Sequence, residues 1–162
     1  MDSTALFTLS HGVYIAGTQT GGRVLDAVSQ VEDGTAPILA VSFMARGETV
    51  RAVREHGRFT LSVLGQDADP WILANFGFQS SAKADKWGAF PHEEWLGFPV
   101  LQDSLARVLL EVEEERVYPN HVLTLCRVVD AEKVRAGEPM TYGYYQSDVK
   151  RAAQAAFRAH LN

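Results

Sequence analysis

Short runs of alternating or continuous apolar residues dominate the chain, and they predict β-strands. Val13 and Ile15 alternate with Tyr14 and Ala16 across Gly12–Thr18. Thr20-Gly21-Gly22 then reads as a turn, with a second short strand following Arg23. Pro37–Met44 (PILAVSFM) is a nearly continuous apolar run of strand length, and Arg58–Leu64 (RFTLSVL) alternates. Leu105–Val117 and Val122–Val129 form a late pair. Tyr118-Pro119-Asn120 between them supplies turn residues, so this pair predicts a long hairpin.

Helical spacing interrupts the strands. Gly47–His56 carries Val50 and Val53 on one face, and Gly57 is a natural terminator. Asp69-Pro70 offers an N-cap followed by proline at the first helical position, predicting a helix to about Phe76. Ser80 or Ser81 is placed to cap a short helix through Lys86. The Ala-rich tail predicts a helix over Asp148–Leu161, with Val149, Ala152, Ala156 and Leu161 near one face, packed on the body or on a second subunit.

Many strands with few short helices predict a closed or semi-closed barrel. Strands and helices do not alternate one for one, and no Gly-x-Gly-x-x-Gly follows the first strand, which argues against a dinucleotide-binding α/β fold. The 162 residues are of single-domain length, and no repeat, linker or low-complexity segment divides them. One domain over residues 1–162 is expected, with 146–162 as its helical tail.

Composition narrows the partners. A net charge of -5, with fifteen Lys and Arg scattered and never in a run, argues against nucleic acid. No apolar run approaches the length of a membrane span. The start, Met1-Asp2-Ser3-Thr4, lacks the basic region of a secretory signal, and a cytoplasmic protein is expected. The single cysteine, Cys126, excludes an internal disulfide framework and a multi-cysteine metal site.

Side-chain chemistry is sparse. There is neither a Gly-x-Ser-x-Gly elbow nor a His-Glu-x-x-His pair. Pro91-His92-Glu93-Glu94 lacks a second histidine at helical spacing and reads as a solvated loop. Glu111, Glu113 and Glu115 would share one strand face, read as a solvent-facing surface in preference to a paired-carboxylate site. Cys126 reads as a buried structural thiol. Such a chain fits a protein whose chemistry is carried by a cofactor, and it fits a binding module as well.

Several segments in order resemble the flavin reductase-like family of FMN-binding split barrels. Ser10–Thr18 (SHGVYIAGT) is similar to the family's first strand, and Ala36–Ser42 (APILAVS) to its proline-led strand. Arg46-Gly47-Glu48-Thr49 falls at the turn that ends in threonine, and Gly57–Leu64 (GRFTLSVL) matches the next strand. Asn75–Trp87 (NFGFQSSAKADKW) resembles the family's FGFQSG…DKF stretch. Asn120-His121 sits at the GDH turn, and Glu138–Tyr145 (EPMTYGYY) matches the terminal PLTYAYY.

The resemblance implies a mainly β, six-stranded split barrel of Greek-key type with a few short helices. It implies a homodimer with flavin near the subunit interface. The cofactor would be FMN, or FAD as in some members, reduced with NADH or NADPH and passed to a small redox substrate or an electron-accepting protein. Arg46 and Thr49 lie where a strand-to-helix turn favours an anion. Val28, Ser29 and Gln30 fall where members place flavin against backbone amides and small hydroxyls. Ser80, Ser81 and Lys86 match a stretch near the cofactor; capping and a solvated charge are their plainer roles. Trp87 would pack on a ring or in the core. His121 matches a histidine near the flavin or nicotinamide, where it would orient or stabilise charge. Two further readings stay open: an electron carrier without its own NAD(P)H activity, and a degenerate barrel that binds another ligand. The stretch Arg23–Pro37 is shorter than the family pattern, with Asp26 and Glu32-Asp33 adding negative charge.

Overall fold

The computed structural model describes every residue from Met1 to Asn162. Its strands are β1 (Tyr14–Thr18), β2 (Gly21–Leu25), β3 (Val28–Glu32), β4 (Ile38–Met44), β5 (Arg58–Val63), β6 (His92–Trp95), β7 (Phe98–Leu101), β8 (Ala106–Val117) and β9 (His121–Lys133). Seven form one antiparallel sheet in the order β2-β1-β5-β8-β9-β4-β3, and β6–β7 form a separate hairpin.

The mainly β expectation holds, but the expected count of six strands does not match seven plus two. One source of the difference is Asp26-Ala27. The chain pairs with β1 up to Leu25, breaks there, and resumes at Val28 against Val41 of β4. Ala27 stays attached, its carbonyl accepting from Ser42 N at 3.0 Å. The second source is β6, which the sequence reads as a solvated loop. His92 pairs with Leu101, and Glu93 forms an ion pair with Arg107 of β8, so this stretch is a strand pinned to the sheet.

Helix α1 (Glu48–His56) follows the expected face, burying Val50 and Val53. Gly57 ends it at φ 70, its N–H donating to Val53 O at 2.8 Å, a left-handed cap that glycine adopts without strain. Helix α2 (Pro70–Phe78) starts as expected, with the Asp69 carboxylate accepting from Trp71 N at 2.8 Å.

The tail winds through α3 (Tyr142–Tyr144), a wider turn over Tyr145–Val149, and α4 (Lys150–Leu161). It packs on α2, yet its inner face differs from the expected one. Val149 and Ala153 are buried while Ala152 and Leu161 are exposed. Aromatic docking sets that face: Phe157 meets Phe78 edge-on at 5.6 Å, and His160 lies 4.5 Å from the Trp71 ring.

Three other expectations change. Gly21 and Gly22 pair with Thr18 and Gly17 inside the β1–β2 hairpin, leaving Gln19-Thr20 as the turn. Ser80–Lys86 is a run of turns, with Lys83 N and Ala84 N both donating to Ser80 O. Lys86 and its neighbour Trp87 are both pulled into the interior, which a continuing exposed helix would not allow. Glu111, Glu113 and Glu115 do not share a face, because the pairing register shifts between Val112 and Glu114. Glu111 pairs with Arg58 and Arg127, whereas Glu115 reaches Arg54 of α1 at 2.8 Å.

Two apolar clusters hold the sheet. One lies under α1 and joins Val50 and Val53 to Phe43, Phe59, Leu61 and Leu110, with Phe43 and Phe59 edge-on at 5.1 Å. The other joins β1 to α2, β7 and α4 through Ile15, Leu73, Phe76, Leu101 and Ala153. Buried Cys126 belongs to the first cluster; burial pushes its thiol up to about 11, which leaves it protonated and unreactive near neutral pH.

Gly17 marks where the β6–β7 hairpin closes on β1. A Cβ there would lie 2.4 Å from Pro99 O and 2.5 Å from Thr60 Oγ1, and backbone cannot move aside cheaply. Gly17→Ala is expected to cost roughly 1–3 kcal/mol. A thermal melt indistinguishable from wild type would contradict this packing.

Candidate functional site

The loop–strand–helix arrangement draws β2, the N-terminus of α1 and the end of α2 around one cavity of about 220 Å³. Its walls bring together Arg46, Thr49, Ser80, Ser81 and Lys86 from distant parts of the chain, and add Arg23.

Lys86 is the most constrained of these. Only 4% of it is exposed, and its Nζ donates to Gly22 O at 2.9 Å and Phe76 O at 3.1 Å. Its own carbonyl accepts from Asn75 Nδ2 at 2.7 Å, and Asn75 Oδ1 accepts from Gln79 Nε2 at 2.8 Å. Next to it, Trp87 Nε1 donates to Gly21 O at 3.0 Å. Ser81 Oγ lies 3.3 Å from Gly22 N, which donates to it. The Ser81–Trp87 segment is thus laced to the β1–β2 hairpin.

The cavity is positively charged without compensation. Arg23 donates from Nη1 to Arg46 O at 3.4 Å, but its buried Nε has no partner. Arg23, Arg46 and Lys86 take part in no ion pair. Burial holds the Arg23 guanidinium below its ordinary value. Burial first, and the nearby Arg23 charge second, push Lys86 down to about 8. Glu48 is in the wall but is engaged by Arg51. Gly47 begins α1 with no side-chain cap, leaving first-turn N–H groups free beside these cations.

A larger cavity, about 800 Å³, opens along α1 and shares Arg46 and Gly47 with the first. Its charges are already matched, Arg54 with Glu115 and Arg51 with Glu55. The smaller cavity is the better candidate because its cations lack partners, and buried unpaired charge is costly unless a ligand supplies the counterion.

Other expected residues lie elsewhere. Trp87 is 8% exposed and packs edge-on against Phe76 at 4.8 Å, while also bordering a neighbouring groove with Ser81 and Lys86. Val28, Ser29 and Gln30 lie on edge strand β3, with Val28 against the core and Ser29 and Gln30 exposed. His121 is exposed where β9 begins, opposite Met44. The adjacent Asn120 carbonyl accepts from Ala45 N at 2.8 Å, one residue before Arg46. Two residues escaped the sequence reading, Arg23 and Asn75. Arg23 carried a signal, a lone charge inside a short strand; Asn75 carried none beyond a polar position in an apolar helix.

The chain is thus a mainly antiparallel β protein with a cation-lined cavity of about 220 Å³. A family model described as "Flavin reductase like domain" matches residues 6–153, and the chain belongs to that family. It is 32% identical over 157 residues to a high molecular weight rubredoxin of Moorella thermoacetica, covering 93% of this chain and 68% of that protein. It is 30% identical over 151 residues to a ferric-chelate reductase (NAD(P)H) of Archaeoglobus fulgidus, covering 90% and 89%. In structure it is similar to the styrene monooxygenase flavin reductase of Pseudomonas putida S12, with a TM-score of 0.75 at 21% identity over 86% of this chain and 90% of that one. The last likeness is one of fold.

Lys86 also gives the ligand-free protein a pH signature. Its folded value of about 8 lies below the ordinary lysine value of 10.5, so between these the unfolded chain binds more protons than the folded one. The cost of burying the ammonium is therefore full below pH 8 and relieved as pH rises toward 10.5. Relative to Lys86→Met, the wild-type melting temperature is expected to climb over that interval. Parallel pH profiles for the two proteins would refute the burial of an uncompensated ammonium.

Proposed function

We propose that this chain is an NAD(P)H-dependent flavin reductase, and that the Arg23–Lys86 cavity receives the phosphate of its flavin. The observation that carries the reading is the set of unmatched cations, Arg23, Arg46 and Lys86, beside the uncapped start of α1. Family membership and the ferric-chelate reductase (NAD(P)H) relative support it.

In this reading Lys86, Arg23 and Ser81 hold the phosphate, and Thr49 presents the α1 N-terminus to it. The residues fit such a group because Arg23 Nε is buried without a partner and an anion would satisfy its surroundings. A bound flavin supplies a ring that accepts hydride from reduced nicotinamide, a transfer that needs close stacking instead of a side-chain base. The chain's own task is then to bind and orient. His121, at the exposed start of β9, stabilises charge, and Val28–Gln30 offer backbone and small polar groups along β3. Reading β2 and β3 as one bent strand, broken at Asp26-Ala27, recovers a six-stranded split barrel within one domain. A homodimer bringing this edge to the flavin, a cytoplasmic setting, and a monooxygenase or other acceptor taking up reduced flavin complete the proposal.

The rubredoxin relative favours a second reading, an electron carrier with little NAD(P)H activity of its own. Steady NADH or NADPH oxidation on addition of free FMN separates the two: the reductase shows it, the carrier does not. Purified protein incubated with flavin and desalted is expected to keep flavin absorbance. A colourless protein after that treatment would sink both readings. Lys86→Met is expected to weaken FMN binding by about 1.5–3 kcal/mol, the worth of a hydrogen bond to a charged group. Unchanged affinity in a flavin titration would remove the phosphate from this cavity.

A further inference from the structure

One wall of the cavity belongs to the last turn of α2, and part of what holds that turn lies outside the cavity. We propose that Phe157 of α4 is a positioning residue for the site: by docking on Phe78 it fixes the wall made by Gly77, Phe78 and Gln79, so that the tail helix and ligand binding are energetically coupled. Its effect on flavin rests on the reading above, while its effect on α2 does not.

Helix α2 ends without a glycine cap. Gln79 follows it in extended backbone, at φ -110 and ψ 156, so the last turn needs other supports. Lys86 grips that turn twice. Its Nζ donates to Phe76 O at 3.1 Å, a cation on one of the carbonyls left over at a helix end, and its own carbonyl accepts from Asn75 Nδ2 at 2.7 Å. Phe78 lies beyond both grips and is 38% exposed. Its ring is held by Phe157, edge-on at 5.6 Å.

The packing beneath gives that contact its weight. An apolar space of about 90 Å³ is bordered by Gly77 and Phe78 of α2 and by Tyr142 and Tyr145 of the tail. Without Phe157 the Phe78 ring has room to turn into it, and Gly77 and Phe78 also line the cation-lined cavity. A wall that leaves its place part of the time lowers the apparent affinity to the fraction that stays. Linkage makes the coupling mutual, so a bound ligand firms α4 in turn. The other aromatic contact between the two helices does not reach the cavity. His160 lies 4.5 Å from Trp71, which is in the first turn of α2 and absent from the cavity wall. Trp71 is roughly 10 Å from Phe78 along the axis, at about 1.5 Å per residue. Phe157 and His160 both lie outside residues 6–153, so the family match assigns neither a role.

The test compares Phe157→Ala with Phe157→Tyr and His160→Ala. In ligand-free protein, Phe157→Ala is expected to speed amide hydrogen exchange in the last turn of α2 by about threefold to tenfold, the range of one aromatic pair, with β8 and β9 exchanging as in wild type. In titrations with FMN, Phe157→Ala is expected to bind about threefold to tenfold more weakly, with Phe157→Tyr and His160→Ala within about twofold of wild type. FMN is also expected to slow exchange in α4 of the wild type. Exchange that rises throughout the molecule, or does not rise in α2, would overturn the inference. So would unchanged FMN affinity of Phe157→Ala, an equal loss in His160→Ala, or α4 exchange that ignores bound FMN, and each of these leaves the flavin reading standing. Wild type that binds no FMN would overturn the flavin reading, and exchange in the ligand-free proteins then decides the role of Phe157 alone. Should Phe157→Ala not fold, Phe157→Leu takes its place in both measurements.

Discussion

The burial of the Lys86 ammonium against two backbone carbonyls organises this part of the molecule. Gly22 belongs to β2 and Phe76 to α2, so one side chain joins a strand to a helix. Trp87 repeats the link one residue later through Gly21, and Asn75 returns it from α2 to the Lys86 carbonyl. An amine in such a place is held by dipoles and not by an opposite charge. The arrangement leaves the ammonium without an opposite charge at the wall of the adjoining cavity, which is the basis for proposing an anion there.

The rest of the architecture keeps this junction rigid. Gly17 lets the β6–β7 hairpin press on β1, and Thr60 fastens it by donating to Pro99 O at 2.7 Å. The Arg107 guanidinium ties β8 to Glu93 of that hairpin and to Glu132 of β9, and lies 5.0 Å from the Trp95 ring. These surface contacts are individually weak but converge on one element. On the other side α1 plugs its apolar face into the sheet while pointing its uncapped N-terminus at the cavity. Six arginines elsewhere are paired with carboxylates, whereas Arg23, Arg46 and Lys86 around the cavity are not, and of these Lys86 is buried.

Family membership and this electrostatic pattern meet at the same residues. The flavin reductase-like match covers residues 6–153, which includes every wall of the cavity. Relatives named as a ferric-chelate reductase and as a rubredoxin share the domain, so one scaffold serves proteins named for different redox tasks. Two local features mark the site in this chain: the Asp26-Ala27 break between β2 and β3, and Arg23 shortly before it, whose Nε is buried without a partner.

Alternation and helical spacing were enough to locate β1, β4, β5, the β8–β9 hairpin, α1 and α2, because each buries a regular face and ends at a strong punctuation residue such as Gly57 or Pro119. The ordered motifs also named Arg46, Thr49, Ser80, Ser81 and Lys86, which the fold gathers around one cavity. The sequence could not reveal that Lys86 is buried, since a lysine's environment depends on which carbonyls arrive from β2 and α2. Nor could it show the register shift that separates Glu111 from Glu115, or the aromatic docking that turns α4 by one residue. Periodicity reports which residues want to leave water. Only the tertiary structure decides which charges are left facing one another when they do, and here that decision falls on Arg23 and Lys86.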